Sequence, residues 1–391
     1  MIWANWISRT LLNWGAIDLP SPRIAIIAPY LSSPDTKDAD VRIGGVERYV
    51  TELAKALSGI QKDVTLITPS KSTGRSQLGQ IPVIQIRRTG IVQGAPLFNP
   101  LDLLSAIKGF DIVHTQATYP LFSDQNPVLA RVRDIPSVVT YHFEPTPTSS
   151  LGRIAGGLYE ATLARMTRWS DRIILSTESY KRSTRLLKSG FDEKIRYVPM
   201  GVDTGFFAPD PSLRTEPRFL FVGRLVPYKD IPLLIKAMEI VNRTMPSHEL
   251  AIVGTGELED SLKAVARESA AKVRFLGRVD DAELLRLYRT STAMVLASHD
   301  HQEAFGMTLV ESMSCGTPVI AARIPGVMDV ASIGGTVVEP ESADALAEAM
   351  ISAASSRRKP EEKARLHSII QDKFSWRSVA SRTSAVYDEL L

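Results

Sequence analysis

Glu303 and Glu311 enclose the segment E-A-F-G-M-T-L-V-E, with seven residues between the two carboxylates. Residues 293–298 just upstream form an apolar run that reads as a buried strand. The residues downstream follow a helical pattern that ends at Cys315-Gly316. Glu303 is therefore expected in a strand-to-helix loop, and Glu311 a turn or two inside the helix. Between them, the free N–H groups of the helix start can face an anion. Carboxylates at both ends of a phosphate-sized gap suit a ligand with hydroxyls at each end and a diphosphate in the middle. A sugar nucleotide is such a ligand.

The elements that hold these residues alternate along the whole chain. Apolar strand-like runs at 23–29, 63–68, 83–87, 111–116, 137–141, 172–176 and 195–198 are separated by helical stretches, the first opened by Gly44-Gly45. A second series at 218–222, 250–254, 273–276, 293–298, 318–323 and 336–338 alternates with helices near 231–245, 258–270, 282–290 and 343–355. Continuous apolar strands divided by helices predict parallel sheets covered on both faces. A length of 391 residues exceeds one ordinary core. Three prolines between 206 and 217 mark the linker. The expected architecture is α/β, with an N-terminal domain over 1–205 and a C-terminal domain over 206–375. Ligands of such sheets bind beyond the carboxyl ends of the strands, in this case in a cleft between the halves.

Composition narrows the class further. Hydrophobic residues make up 44% of the chain and charged residues 23%, as in a globular protein. The single cysteine, Cys315, excludes an internal disulfide framework and a cysteine zinc cage, and reads as core packing. A net charge of +3 does not argue for nucleic acid as a partner. Residues 1–20 carry Trp3, Trp6 and Trp14 but no apolar stretch near the ~20 residues of a membrane span, and no secretory signal pattern. They read as an atypical extension of the first domain, and the chain is expected in the cytoplasm. An amphipathic helix resting on a membrane or on a partner is the sharper reading of that extension.

Several motifs stand in a telling order. Gly44-Gly-Val46, Thr140-Tyr-His142 and Val198-Pro-Met-Gly-Val-Asp203 occupy the first half. Val222-Gly-Arg-Leu-x3-Lys229, Ile252-Val-Gly-Thr-Gly256, Phe275-Leu-Gly277, Glu303-x7-Glu311 and Gly316-Thr-Pro-Val-Ile320 occupy the second. Together they resemble the retaining glycosyltransferases of family 4, over roughly residues 23 to 391. The resemblance implies a GT-B fold, in which two Rossmann-like doubly wound domains face each other across a cleft. It also implies transfer of an α-linked hexosyl unit, of mannosyl or glucosyl type, from a UDP- or GDP-sugar to a hydroxyl of a glycan or lipid-linked acceptor. Neither cofactor nor metal is expected.

The same resemblance suggests roles. Arg224 and Lys229 would stabilise charge on the departing nucleoside diphosphate, an interaction stronger in the transition state than in the intact donor. Glu311 would hold the ribose hydroxyls, as a carboxylate can accept from two vicinal hydroxyls. Glu303 would face the transferred sugar, with the backbone of Ala304, Phe305, Gly306, Met307 and Thr308 close by. His142, alone of the six histidines, would contact a sugar hydroxyl. Gly44, Gly45 and Gly223 would let backbone approach the ligand. Gly254, Gly256, Gly277, Arg278 and Val279 would lie near the nucleotide and its base. Residues 376–391 would form a helix that crosses back to the first domain.

Other features of the sequence admit other readings. His299-Asp300-His301 invites a metal, but alternating loop residues often point apart and no further ligand is apparent. Gly254-Thr-Gly256 suggests a dinucleotide cofactor and an NAD-dependent oxidoreductase, yet the third glycine of that fingerprint would fall on Glu259. A sugar-nucleotide-binding protein or epimerase of the same fold is a further alternative. A basic series, Arg165, Arg168, Arg172, Lys181, Arg182, Arg185 and Lys188, reads either as a solvated face or as a dock for anionic lipid.

Overall fold

The structure is a computed structural model that describes residues 21–31, 45–92, 94–142, 162–184, 191–300, 302–356 and 359–391. Gly44, His301, Arg185, Lys188 and the tryptophan-bearing residues 1–20 lie outside the described residues.

Two separate sheets carry the molecule. The first is nine-stranded: β1 (Arg23–Ile27), β2 (Asp63–Ser70), β3 (Gly74–Leu78), β4 (Ile81–Val92), β5 (Ala95–Phe98), β6 (Ile112–Ala117), β7 (Ser137–Tyr141), β8 (Arg172–Leu175) and β9 (Ile195–Tyr197). Its order is β3-β4-β2-β1-β6-β7-β8-β9, with β5 on β4. The pairs that β4 makes with β3 and β5 are antiparallel and the rest are parallel. The second sheet is wholly parallel. It comprises β10 (Arg218–Val222), β11 (Glu249–Val253), β12 (Val273–Gly277), β13 (Ala293–Leu296), β14 (Val319–Ala322) and β15 (Thr336–Val338), in the order β12-β11-β10-β13-β14-β15.

β1 and β13 are almost wholly buried, as continuous apolar strands between helical layers must be. The helix Gly45–Gly59 buries Tyr49, Val50, Leu53, Ala54 and Leu57, an apolar stripe at helical spacing, against the first sheet. β3 and the second half of β4 depart from the sequence expectation. Their side chains are mostly exposed, so no apolar pattern marks them, and an edge strand needs none.

The last two helices join the halves. Pro360–Phe374 packs Leu366, Ile370 and Phe374 into the C-terminal core, and Trp376–Asp388 then lies along Gly45–Gly59. Val379, Ala380, Val386 and Tyr387 belong to the N-terminal core. At the crossing, the Val202 N–H donates to the Phe374 carbonyl over 2.8 Å, so two connecting segments run side by side. Residues 206–217 contain neither helix nor strand.

Candidate active site

In the second sheet the chain order reverses between β10 and β13, so the loops leaving their carboxyl ends diverge and open a crevice. The loop after β10 carries Gly223, Arg224 and Lys229. The loop after β13 carries Glu303. Their side chains meet: the Lys229 ammonium donates to a Glu303 carboxylate oxygen, and only 9% and 13% of these side chains is exposed. The Arg224 guanidinium donates to the Tyr228 hydroxyl at 3.2 Å, and Lys229 lies 5.4 Å over the Tyr228 ring. The His299 N–H donates to the Tyr228 carbonyl at 3.1 Å and pins one loop to the other.

The descent from Glu303 to Glu311 is built around Gly306. Its φ of +80° lies in the left-handed region, and a Cβ there would approach Leu309 to 2.8 Å. The helix Met307–Ser314 begins at once with no side-chain cap; the Leu309 N–H donates to the Gly306 carbonyl at 2.9 Å, which leaves the N–H groups of Met307 and Thr308 for the cleft. Glu311, in the second turn, accepts from the Tyr288 hydroxyl at 2.8 Å. Burial raises the Glu311 carboxyl above its ordinary value, against the pull of the Tyr288 hydrogen bond and of Arg48. Phe305 is buried edge-on to Phe374, and Ala304 packs among Ala117, Val139 and Tyr141 of the N-terminal half.

The N-terminal half forms the opposite wall. His142 follows β7 directly, with its ring edge-on to Tyr49 at 5.0 Å and its Nε2 2.8 Å from the Gln116 side-chain carbonyl. Burial lowers its pKa to about 3, so the ring is neutral near pH 7. Gly45 opens the helix that also presents Arg48 and Tyr49 to the cleft.

The resulting cleft holds about 410 Å³ and spans both halves. Gly45, His142, Gly223, Arg224, Lys229, Glu303 through Thr308, and Glu311 all line it. Gly254, Gly256, Gly277, Arg278 and Val279 do not. The turn at Gly254 instead braces the cleft from beneath. A Cβ on Gly254 would fall 1.9 Å from the Gly223 carbonyl oxygen, and the Leu225 N–H donates to the Thr255 carbonyl at 3.1 Å. The next helix, Glu259–Glu268, opens with Glu259 and Asp260, which would repel a pyrophosphate. His299 faces Asp230 at 3.7 Å, and among the described residues no three metal-binding side chains gather.

Residues that the sequence reading passed over complete the site. Arg48 sits in the first turn after Gly45, a position that helix direction alone could have flagged. Tyr228 lies inside the Arg224–Lys229 loop. Gln116 and His114 are polar residues within a buried parallel strand, which is itself a signal. Tyr288 reaches Glu311 from a different helix, with no local signal at all.

Two family models match contiguous parts of the chain: Glycosyltransferase Family 4 over residues 43–206 and Glycosyl transferases group 1 over 206–368. The O-antigen chain mannosyltransferase C of Escherichia coli is 29% identical, over 78% of this chain and 84% of its own. The phosphatidyl-myo-inositol mannosyltransferase of Mycolicibacterium smegmatis is 29% identical, over 84% of each. Among solved structures, Anabaena HepE in complex with UDP superposes with a TM-score of 0.70 at 16% identity, covering 94% of this chain and all of its own. The two sheets with their shared cleft, and the two models that meet at residue 206, have one reading: the chain is a glycosyltransferase of family 4, group 1, with the GT-B fold.

Proposed function

We propose that this glycosyltransferase moves an α-linked hexosyl unit, mannosyl or glucosyl, from a UDP- or GDP-sugar to a hydroxyl of a glycan or lipid-linked acceptor, with retention of configuration. One arrangement carries the reading: the Lys229–Glu303 pair stands at one end of an uncapped helix start, and Glu311 stands a turn and more inside that helix. The diphosphate would sit between them against the free N–H groups, drawing Lys229 and Arg224 onto its oxygens. Glu311 would take the ribose hydroxyls, and Glu303 and His142 the transferred sugar. No second carboxylate is assigned as a nucleophile. The acceptor would attack from the face that the nucleotide leaves, with the leaving phosphate accepting its proton. The cations and the helix start would do the work a metal does elsewhere, so turnover would persist in chelator. Closure of the halves would shield the sugar from water.

The relatives named as mannosyltransferases favour a mannosyl donor, and the one named for phosphatidyl-myo-inositol favours a lipid-linked acceptor. A lipid acceptor would bring the N-terminal half against an anionic membrane. There Trp169 is 42% exposed beside Arg168, whereas Arg172 is committed to Glu389 and Lys181 to Asp192. Among the described residues no helix is long and apolar enough to cross a membrane, so that contact would be peripheral.

The test is a screen of UDP- and GDP-hexoses for nucleotide release, with saccharide and lipid acceptors, followed by proton NMR of the product anomer. Release that requires an acceptor, with an α-linked product, is expected. An inverted product removes the retaining assignment, and absence of release from every hexose donor removes the donor class. Sedimentation with anionic vesicles at low salt tests the membrane contact separately.

A further inference from the structure

A chain of buried polar groups leads away from the cleft. Gln116 and His114 lie two residues apart on β6 and so project from the same face. His142 Nε2 is 2.8 Å from Gln116 Oε1, and Gln116 Nε2 is 3.2 Å from His114 Nε2. The same His114 nitrogen is 2.7 Å from the Thr140 hydroxyl, and His114 Nδ1 is 2.7 Å from the hydroxyl of Tyr387. His114, Gln116 and Tyr387 are wholly buried, and Tyr387 belongs to the helix that returns from the other half. A second route is aromatic: Trp376, at the start of that helix, contacts Tyr49 at 5.5 Å, and Tyr49 contacts the His142 ring at 5.0 Å.

We propose that Gln116, His114 and Tyr387 are positioning residues that lock His142 into one neutral tautomer, and that docking of the C-terminal helix is a condition for that lock. The inference rests on the reading above that His142 meets the transferred sugar. An amide offers an acceptor at one end and donors at the other, and a neutral imidazole offers one of each. Each member of the chain therefore dictates the polarity of the next, while the Thr140 hydroxyl, able to donate or accept, turns to match whichever role His114 Nε2 takes. With the Gln116 carbonyl toward His142, Nε2 carries the proton, and Nδ1 is left as a lone pair able to accept from a sugar hydroxyl. His142 cannot change tautomer alone: the Gln116 amide would have to turn over and His114 would have to move its proton as well. Burial keeps both rings neutral, since it lowers each pKa to about 3. A donor or acceptor fixed in advance loses nothing to reorganisation when the sugar arrives.

The experiment is nitrogen-15 NMR of histidine-labelled protein, in which the two ring nitrogens of a single neutral tautomer give widely separated shifts. His142→Ala identifies the resonances of interest among the six histidines. Wild type should show one tautomer for His142. Gln116→Met, and Tyr387→Phe, which keeps the buried ring, should move the His142 shifts toward the averaged values of a mixture. Turnover should fall about 10-fold in Gln116→Met and about 3-fold in Tyr387→Phe, in line with the loss of one or two hydrogen bonds. A tautomer mixture in wild type, or unchanged His142 shifts in both variants, overturns the lock. Full turnover in His142→Ala would instead remove the sugar contact on which it rests, and the shifts would still report on the lock.

Discussion

The Tyr288 hydroxyl reaches Glu311 from another helix, 2.8 Å away, and is the one hydrogen-bond donor that the described side chains supply to that carboxylate. Tyr288 is itself wholly buried, with its ring edge-on to Phe207. Tyr288→Phe keeps the packing and removes the donor. A hydrogen bond to a charged group contributes about 1.5–3 kcal/mol, so donor KM should rise about 10-fold or more while kcat stays within a factor of about two. The Glu311 carboxyl, already raised by burial, should rise further without its donor. Donor affinity should then be lost at a higher pH on the acid side than in wild type. Steady-state kinetics across pH check both statements.

Lys229 and Glu303 are an ion pair of a buried lysine and a largely covered glutamate, so removing either leaves a charge without its partner. Lys229→Ala should lower turnover at saturating donor by about 10²-fold or more. It should also lower stability by about 3–5 kcal/mol. The double variant Lys229→Met with Glu303→Gln should recover much of the stability and none of the turnover. Urea midpoints alongside nucleotide-release rates separate the two effects, and recovery of turnover in the double variant would place the pair outside the chemistry.

Acid should weaken the fold through His114 and His142. Both are held to a pKa of about 3, below the ordinary value of 6.5, chiefly by burial. Between those values the unfolded chain binds protons that the folded chain refuses, so stability is full above about pH 6.5 and is lost as pH falls. The slope is at most about 1.4 kcal/mol per pH unit for each histidine. In His114→Gln, the loss of stability between pH 7.5 and 5.5 should shrink by about one proton's share. An unchanged difference would mean that His114 takes up its proton in the folded state.

Away from the chain crossings and from the Ala304 contact, the halves touch through hydrogen bonds. The Gly326 N–H donates to the Ser179 hydroxyl at 2.7 Å, and the Ser179 N–H donates to Asp329 at 3.1 Å. Asp329→Ala removes one of these without disturbing either core. The radius of gyration without ligand should increase, and kcat/KM for the donor should fall about 2- to 5-fold, one modest hydrogen bond's worth. Small-angle scattering with and without UDP provides the comparison.

What could be read from the residues follows the range of the forces involved. β10, β11, β13 and β14 are apolar runs between turn signals, and each lies within a residue or two of its expected span. β3, G-R-S-Q-L, is exposed along nearly its whole length, and pairing with β4 alone makes it a strand. Glu303, Glu311, Arg224 and Lys229 were legible as candidates because local spacing ties them to loops at strand ends. Their mutual contact was not, because the Lys229–Glu303 pair is created by the strand order. Tyr288 and Gln116 act through partners distant in sequence, which no short motif encodes. The Gly254 turn shows the converse: its glycines stand out in the chain, yet backbone crowding of Gly254 against Gly223 and of Gly256 against Leu225 accounts for them.

The paired segments at Val202 and Phe374–Ser375 have one more consequence. Because the chain passes between the halves at two places that are hydrogen-bonded to each other, the two passages form a single strap. Trp376 covers Gly201 so closely that a Cβ there would lie 2.5 Å from the indole, so only glycine lets the second passage pack on the first. A body hung on one stiff strap can swing but cannot slide. Opening of the cleft about that strap would be a rotation about one line, which would carry the Glu303 wall away from the His142 wall and back without changing their register.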